Sequence, residues 1–147
     1  MSDKTESANL ILKLYELRRD DIMRKARNWY LAEFHPTSAQ DVTDAVMNNE
    51  TSAYYRMVTS YWEMACSFVA NGAIDEQMFN DANGEHMAVF AKLEPFVAEL
   101  RETYNNPTAL QHLERVVMGI PDARERMAKF REMIKQVIAS RAQAAQQ

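Results

Sequence analysis

Long stretches of the sequence contain neither glycine nor proline. Residues 7–34 form one such stretch, and the chain holds three glycines and four prolines among 147 residues. Since the tight turns between strands depend on these two residue types, their scarcity disfavours a fold of many strands. Apolar residues instead recur every three or four positions, as on one face of an α-helix. The sequence predicts an all-α bundle of about six or seven helices, with the N-terminal and C-terminal helices long.

Cap and turn residues mark the predicted helix ends. Residues 7–34 predict one long helix, because only the polar block "RRDD" interrupts their apolar stripe and Pro36 disfavours helix beyond. Ser38, with Asp41 three positions later, resembles a capping box for a short helix. Further signals are a glycine that closes a helix at Gly72 and a cap at Asp75. Residues 85–104 keep their apolar spacing through Pro95 and predict one kinked helix.

We expect one folded domain over residues 7–140, after a flexible N-terminus (residues 1–6) and before a polar, frayed tail (residues 141–147). A chain of this length can bury one proper core. It begins "MSDKTESANL", with charges where a secretory signal would be apolar. The single Cys66 lies in an apolar run and suits a reducing compartment. These features favour a cytoplasmic protein.

The charge of the chain is unevenly distributed. The net charge is −4, which argues against a nucleic-acid partner, because affinity for phosphates comes from concentrated lysine and arginine. Residues 75–105 hold seven acids and two bases, a local charge of −5, whereas residues 115–141 hold seven bases and three acids, a local charge of +4. Two blocks of opposite charge in one chain can face each other.

The segment "SAYYRMVTSYWEMACSFVANG" (residues 52–72) is the most aromatic part of the chain. On a helix its polar residues form one narrow stripe, and everything else is apolar. A helix that is apolar on most sides is usually central in its domain. We therefore interpret it as the core helix, with its stripe facing water or a neighbouring helix.

The polar stripe also has a functional interpretation, as a binding site for a small polar or anionic ligand. Arg56 and Glu63 lie two turns apart, about 10 Å along the axis, and the Arg56 guanidinium can bind a carboxylate or a phosphate. The candidate ligand-binding residues are Arg56, Glu63, Tyr55, Tyr54, Ser60 and Trp62.

The sequence lacks the usual catalytic patterns. His35, His86 and His112 lie on different predicted elements, without the spacing that di-iron or zinc sites need. There is no glycine-rich phosphate loop, no nucleophile elbow and no CxxC pair, and the neighbours of Cys66 are apolar. We expect no catalytic residues, no metal and no cofactor, and the sequence does not favour an enzyme.

The last predicted helix, "ARERMAKFREMIKQVIASRA", is basic and amphipathic. Its bases suit a bundle helix that packs on the acidic middle of the chain. Its apolar stripe also suits a dimer seam, which we consider second. A membrane-surface or nucleic-acid element is the remaining alternative, and we expect neither partner.

The runs "LYELRRDDIMRKARNWY" and "YWEMACSFVANGAIDEQMF" resemble small bacterial all-helical domains of uncharacterised function. In those domains a helix with an aromatic-Glu pair, here Trp62 and Glu63, precedes an "NG-I-D" corner, here Asn71 to Asp75. The resemblance implies no activity. We therefore expect a non-catalytic helical module that binds proteins, in particular a homodimer formed through a long helix. The alternative is the small-ligand site on the Arg56/Glu63 stripe.

Overall fold

The structure, a computed structural model, describes residues 3–146. These residues form α-helices and one 3₁₀ turn, with no strand among them, so the predicted all-α class is confirmed. The helices are α1 (Lys4–Arg18), α2 (Asp21–Ala32), α3 (Ala39–Met47), α4 (Ser52–Ala70), α5 (Glu76–Ala82), α6 (Glu85–Leu93), α7 (Val97–Thr103), α8 (Gln111–Met118) and α9 (Ala123–Ala145).

The aromatic helix α4 lies at the centre of the bundle. It packs mainly against α2 and α8, and it also contacts α3, α5 and α6. Its buried residues are Val58, Thr59, Tyr61, Trp62, Ala65, Cys66 and Val69. The interpretation of this segment as the core helix is therefore confirmed, and α4 positions the five helices that pack against it.

The predicted long N-terminal helix is wrong, because α1 ends at Arg18 and α2 begins at Asp21. The carboxylate of Asp20 accepts hydrogen bonds from the backbone N–H groups of Ile22 (3.1 Å) and Met23 (3.3 Å). This is N-cap geometry, in which an aspartate bonds the first turn of a new helix instead of continuing the previous one. The polar block that interrupts the apolar stripe is thus a helix boundary.

The other predicted caps are confirmed. The Ser38 hydroxyl accepts a hydrogen bond from the Asp41 N–H (3.1 Å) at the start of α3. The Asp75 carboxylate accepts one from the Met78 N–H (2.9 Å) at the start of α5. Gly72 has φ of +84°, the left-handed conformation that closes α4 and that glycine adopts without steric cost.

Residues 85–104 contain two helices where the sequence predicts one kinked helix. Helix α6 is followed by the 3₁₀ turn Glu94–Phe96, which contains Pro95, and then by α7. Proline has no N–H and its ring collides with the preceding turn, so the α-helical ladder stops there. The predicted apolar stripe is nonetheless largely buried, at Phe90, Leu93, Val97 and Leu100.

Helices extend into both of the predicted terminal segments. Helix α1 begins at Lys4 and not at residue 7, because the Asp3 carboxylate caps it by accepting a hydrogen bond from the Thr5 N–H (3.0 Å). Helix α9 continues to Ala145, past the predicted end at residue 140, since its final residues are strong helix formers. Residues 1, 2 and 147 of the two predicted terminal segments lie outside the described residues.

Helix α9 is the longest of the described helices, with 23 residues, yet only Ala123 and Met127 in it are buried. Its N-terminal part packs on α6 and α8. Further along, Met133 is 51% exposed and Val137 and Ile138 are each 40% exposed. Within residues 3–146, neither α9 nor any other helix combines the length and the apolar character needed to cross a bilayer.

Candidate functional site

A buried lysine from α6 holds the C-terminal end of α2. Lys92 is 5% exposed. Its ammonium donates hydrogen bonds to the carbonyl oxygens of Tyr30 (2.7 Å), Leu31 (3.2 Å) and Phe34 (2.7 Å). A cation at a helix C-terminus compensates the partial negative charge of the free carbonyls. Burial lowers the pKa of Lys92 to about 8.

His35 completes this polar cluster. Its Nε2 lies 3.0 Å from the Ala32 carbonyl oxygen, and its Nδ1 lies 3.2 Å from the Lys92 ammonium. Because a carbonyl only accepts, Nε2 carries the proton, and the unprotonated Nδ1 faces the Lys92 ammonium. Burial and the charge of Lys92 lower the pKa of His35. The imidazole is therefore neutral in the folded protein at neutral pH.

A cavity of about 360 Å³ opens beside this cluster, between the segment after α2, the 3₁₀ turn and α9. Pockets for small ligands usually have a volume in this range or larger. Its apolar walls are Pro36, Pro95, Phe96, Ala128, Phe130, Ile134 and Ile138. Its polar lining consists of His35, Thr37, Lys92, Arg131, Glu132 and Lys135.

The basic residues of the cavity differ in how far other protein groups already bind them. Arg131 donates a hydrogen bond to the Ala91 carbonyl (2.8 Å) and lies 4.0 Å from the Glu94 carboxylate. Lys135 is exposed and makes no hydrogen bond or ion pair with any residue of the described chain. Lys135 is thus the cation at the cavity that can still bind an incoming anion.

The predicted ligand residue Glu63 makes a structural contact. Its carboxylate accepts hydrogen bonds from the backbone N–H of Leu113 (2.9 Å) and from both the backbone N–H (3.1 Å) and the ring Nδ1 (2.6 Å) of His112. These residues form the first turn of α8, whose N-terminus has no cap from its own preceding side chain. Glu63 therefore caps α8 from the neighbouring α4.

Arg56 and Ser60 lie near Glu63, on the exposed side of α4. The Arg56 Nε donates to the Ser52 carbonyl (3.4 Å), and the Ser60 hydroxyl donates to the Arg56 carbonyl, so both side chains bond within α4. Arg56, Ser60 and Glu63 line a shallow, open depression against residues 106–110. The structure thus brings three of the six predicted residues together, although the carboxylate of the pair is already bound to α8.

The other three predicted residues point elsewhere. Tyr54 and Tyr55 pack against aromatic rings in and just after α2. The ring centroids of Tyr54 and Trp29 are 6.3 Å apart, and those of Tyr55 and Phe34 are 5.9 Å apart. Trp62 is buried and its Nε1 donates to the Glu85 carboxylate (2.9 Å). These residues do not line the depression with Arg56, and Trp62 pairs with Glu85 rather than with the adjacent Glu63.

Glu85 joins three helices. Besides Trp62 from α4, it binds Arg27 from α2, whose Nη2 lies 2.7 Å from Oε1 and whose Nε lies 3.0 Å from Oε2. This bidentate pairing, together with the negative charge of Glu85, raises the pKa of Arg27. The arrangement satisfies every partner internally and leaves no charge free for a ligand.

The structure offers little for nucleophilic or metal chemistry. Cys66 is buried, and burial raises the pKa of its thiol, which keeps it protonated and unreactive. Among residues 3–146, no three side chains of histidine, cysteine, aspartate or glutamate are grouped so that they could bind a metal ion. The cavity beside Lys92 has mainly apolar walls with a few cations, and it is the candidate site.

Sequence analysis did not identify His35 and Lys92 as site residues. Lys92 is the one charged residue between His86 and Leu93, in an otherwise apolar run. A buried lysine needs hydrogen-bond acceptors, so its position in an apolar run indicates that polar groups lie on the element packed against it. His35 was considered only as one of three histidines that lack the spacing of a metal site. Their meeting depends on the packing of α2 against α6, which no local pattern reports.

A family model described as a domain of unknown function (DUF4760) matches residues 5–119, which is more than half of the chain and extends from α1 to the end of α8. No curated protein matches the chain, and no solved structure matches it.

Proposed function

Because the chain belongs to the DUF4760 family, whose description gives no activity, we propose its function from geometry: it is a non-catalytic helical module that forms a homodimer through α9. The membership agrees with the resemblance to helical domains of uncharacterised function. Helix α9 begins at Ala123, after the residues that the family model matches. The body of the domain and this helix can therefore have separate roles.

The observation that carries the proposal is the exposed apolar face in the second half of α9. Met133 is 51% exposed and Val137 is 40% exposed, and Val137 continues the stripe that begins with the buried Met127. A long helix with an uncovered apolar stripe gains free energy when another surface covers that stripe. The first half of α9 acts as an ordinary bundle helix that packs on the acidic middle of its own chain. Arg124 lies 3.5 Å from Glu94 there.

Charge favours a second copy as the partner. Residues 123–145 hold six bases and two acids, a net charge of +4, and the whole chain has −4, so the rest of the chain carries −8. In a two-fold dimer, each α9 would lie on the acidic body of the other copy, and both contacts would be the same. The same surplus of acid supports the absence of a nucleic-acid partner, and the free thiol of Cys66 supports a cytoplasmic location.

Light scattering after size exclusion tests this proposal directly. The wild-type protein is expected to elute as a dimer at micromolar concentration, and to dissociate as the salt concentration rises, because charge pairs contribute. The double variant Met133→Gln/Val137→Gln should be a monomer with unchanged helical circular dichroism. Lys129→Gln is the matched control on the same helix, since Lys129 lies on a polar side and pairs with Glu125 (3.6 Å).

Several results would contradict the proposal. A wild-type protein that stays monomeric at all concentrations tested would contradict dimer formation. A double variant that dimerises as well as the wild type would show that another surface forms the contact. A monomer that binds vesicles of phosphatidylglycerol through Met133 and Val137 would assign this face to a membrane surface instead.

A further inference from the structure

The cavity beside Lys92 has the construction of a small-molecule site. We propose that it binds a small organic anion with an apolar tail, a carboxylate of the medium-chain fatty acid type. The inference goes beyond dimer formation, because it concerns a cavity that Lys135 and Ile138 line and that Met133 and Val137 do not line.

The walls determine the apolar part of the ligand. Phe96 lies on the 3₁₀ turn, and Phe130, Ile134 and Ile138 extend along one side of α9. The two prolines that flank this space fix its backbone, since a proline ring locks φ. An alkyl chain placed in the cavity removes apolar surface from water on both sides of the contact, which is the main source of affinity in such pockets.

The charges determine the sign of the polar head. Three cations line the cavity, Lys92, Arg131 and Lys135, against one carboxylate, Glu132, a net charge of 3 − 1 = +2. His35 adds no charge, because its pKa is lowered. An anion is therefore favoured over a neutral or a cationic head.

The cations have separate roles. The Lys92 ammonium is bound to the carbonyl oxygens at the end of α2, so it supplies positive potential without leaving its partners. Arg131 is held by Ala91. Lys135 has no partner within the described residues and stands at the exposed rim, so it is the group that would bind the carboxylate directly. One free cation beside an apolar cavity fits a singly charged head better than a phosphate.

Calorimetry with three ligands of equal chain length tests the charge. Decanoate, decanol and decylammonium share the tail and differ only in the head. Decanoate is expected to bind the wild-type protein, decanol about tenfold more weakly, and decylammonium not measurably. Equal binding of decylammonium and decanoate would overturn the proposal, as would the absence of binding by decanoate.

Three variants test the location. Lys135→Gln is expected to weaken decanoate binding about tenfold and to leave decanol binding unchanged. Ile138→Glu places an acid on the apolar wall and should abolish the binding of both decanoate and decanol. Lys129→Gln on the same helix is the control and should leave the binding of both ligands unchanged. Circular dichroism verifies folding, and Ile138 is 40% exposed, so its replacement leaves the core intact.

The same variants separate this proposal from dimer formation. Met133→Gln/Val137→Gln should abolish the dimer and keep decanoate binding. Lys135→Gln should keep the dimer and weaken decanoate binding. Decanoate binding that is insensitive to Lys135→Gln and Ile138→Glu would place the ligand elsewhere and contradict the proposed site.

Discussion

Lys92 shows how one buried residue can stabilise the end of a helix in another part of the chain. Its ammonium occupies carbonyl groups that α2 leaves free and that water does not reach. Two effects oppose each other here, the cost of burying the cation and the cost of unpaired carbonyls without it. The lowered pKa of Lys92, about 8, reports the first effect. Because three carbonyl groups would lose their donor, we expect the cost of unpaired carbonyls to exceed the cost of burying the cation.

Replacement of Lys92 by methionine is therefore expected to destabilise the protein. Methionine keeps much of the stem but leaves the carbonyls of Tyr30 and Phe34 buried without a donor. We expect a loss of about 2 to 4 kcal/mol in the free energy of unfolding, measured by urea denaturation at neutral pH. Lys25→Met on the exposed side of α2 is the control, with a change within about 0.5 kcal/mol. A Lys92→Met protein as stable as the wild type would show that the burial cost dominates.

Glu63 marks the limit of sequence analysis at this scale. Its place on the polar stripe of α4 could be predicted from spacing, and a carboxylate beside an arginine suggested a ligand site. The structure shows that it caps α8, whose first turn lies 49 residues further along the chain. No local pattern identifies such a partner, because the contact exists only after α4 and α8 have packed. The ligand-binding role of Arg56 remains a prediction.

At the scale of elements, local patterns predicted the starts of α3 and α5 and the end of α4, and they missed the breaks between α1 and α2 and between α6 and α7. Ser38, Gly72 and Asp75 act over one turn, so their sequence context contains the information. The break between α1 and α2 was missed because Asp20 also fits a helix interior, where it stands four residues before Arg24. In the structure its carboxylate bonds to the backbone of the next turn instead.

The sign of one substitution distinguishes the two interpretations of Asp20. As an N-cap, Asp20→Ala should lower the free energy of unfolding by about 1 kcal/mol, whereas in a continuous helix alanine would raise it. Asp20→Asn is the matched control, since asparagine caps as well as aspartate and should change stability little. Thermal and urea denaturation followed by circular dichroism measure both. Stabilisation by alanine would refute the helix break.

At the scale of the whole molecule, the sequence predicted the class and the central helix but not the cavity. A nearly all-apolar helix must lie inside, so α4 was placed correctly from its composition. The cavity depends on how far α9 stands from the turn at Pro95 and from the segment after α2. That distance results from side chains of several elements packing together, and periodicity does not encode it.

The core also contains an acid-sensitive group. His86 is fully buried between the rings of Trp62 (5.6 Å) and Phe79 (5.0 Å), and its Nε2 bonds to the Asn80 side chain (2.9 Å). Its Nδ1 has no hydrogen-bond partner among residues 3–146. Burial, together with the charge of Arg18, lowers the pKa of His86 from 6.5 to about 4, although Glu85 opposes the shift.

The protein should therefore lose stability in mild acid. The lowered pKa means that below 6.5 the unfolded chain binds a proton that the folded protein does not, until the pH falls to about 4. The loss attributable to His86 is expected to reach about 2 kcal/mol at about pH 5. His86→Phe should remove that part of the dependence. Urea denaturation from neutral pH downwards measures both proteins. Free energies of unfolding that fall equally with pH in the wild type and in His86→Phe would show that His86 does not cause the loss.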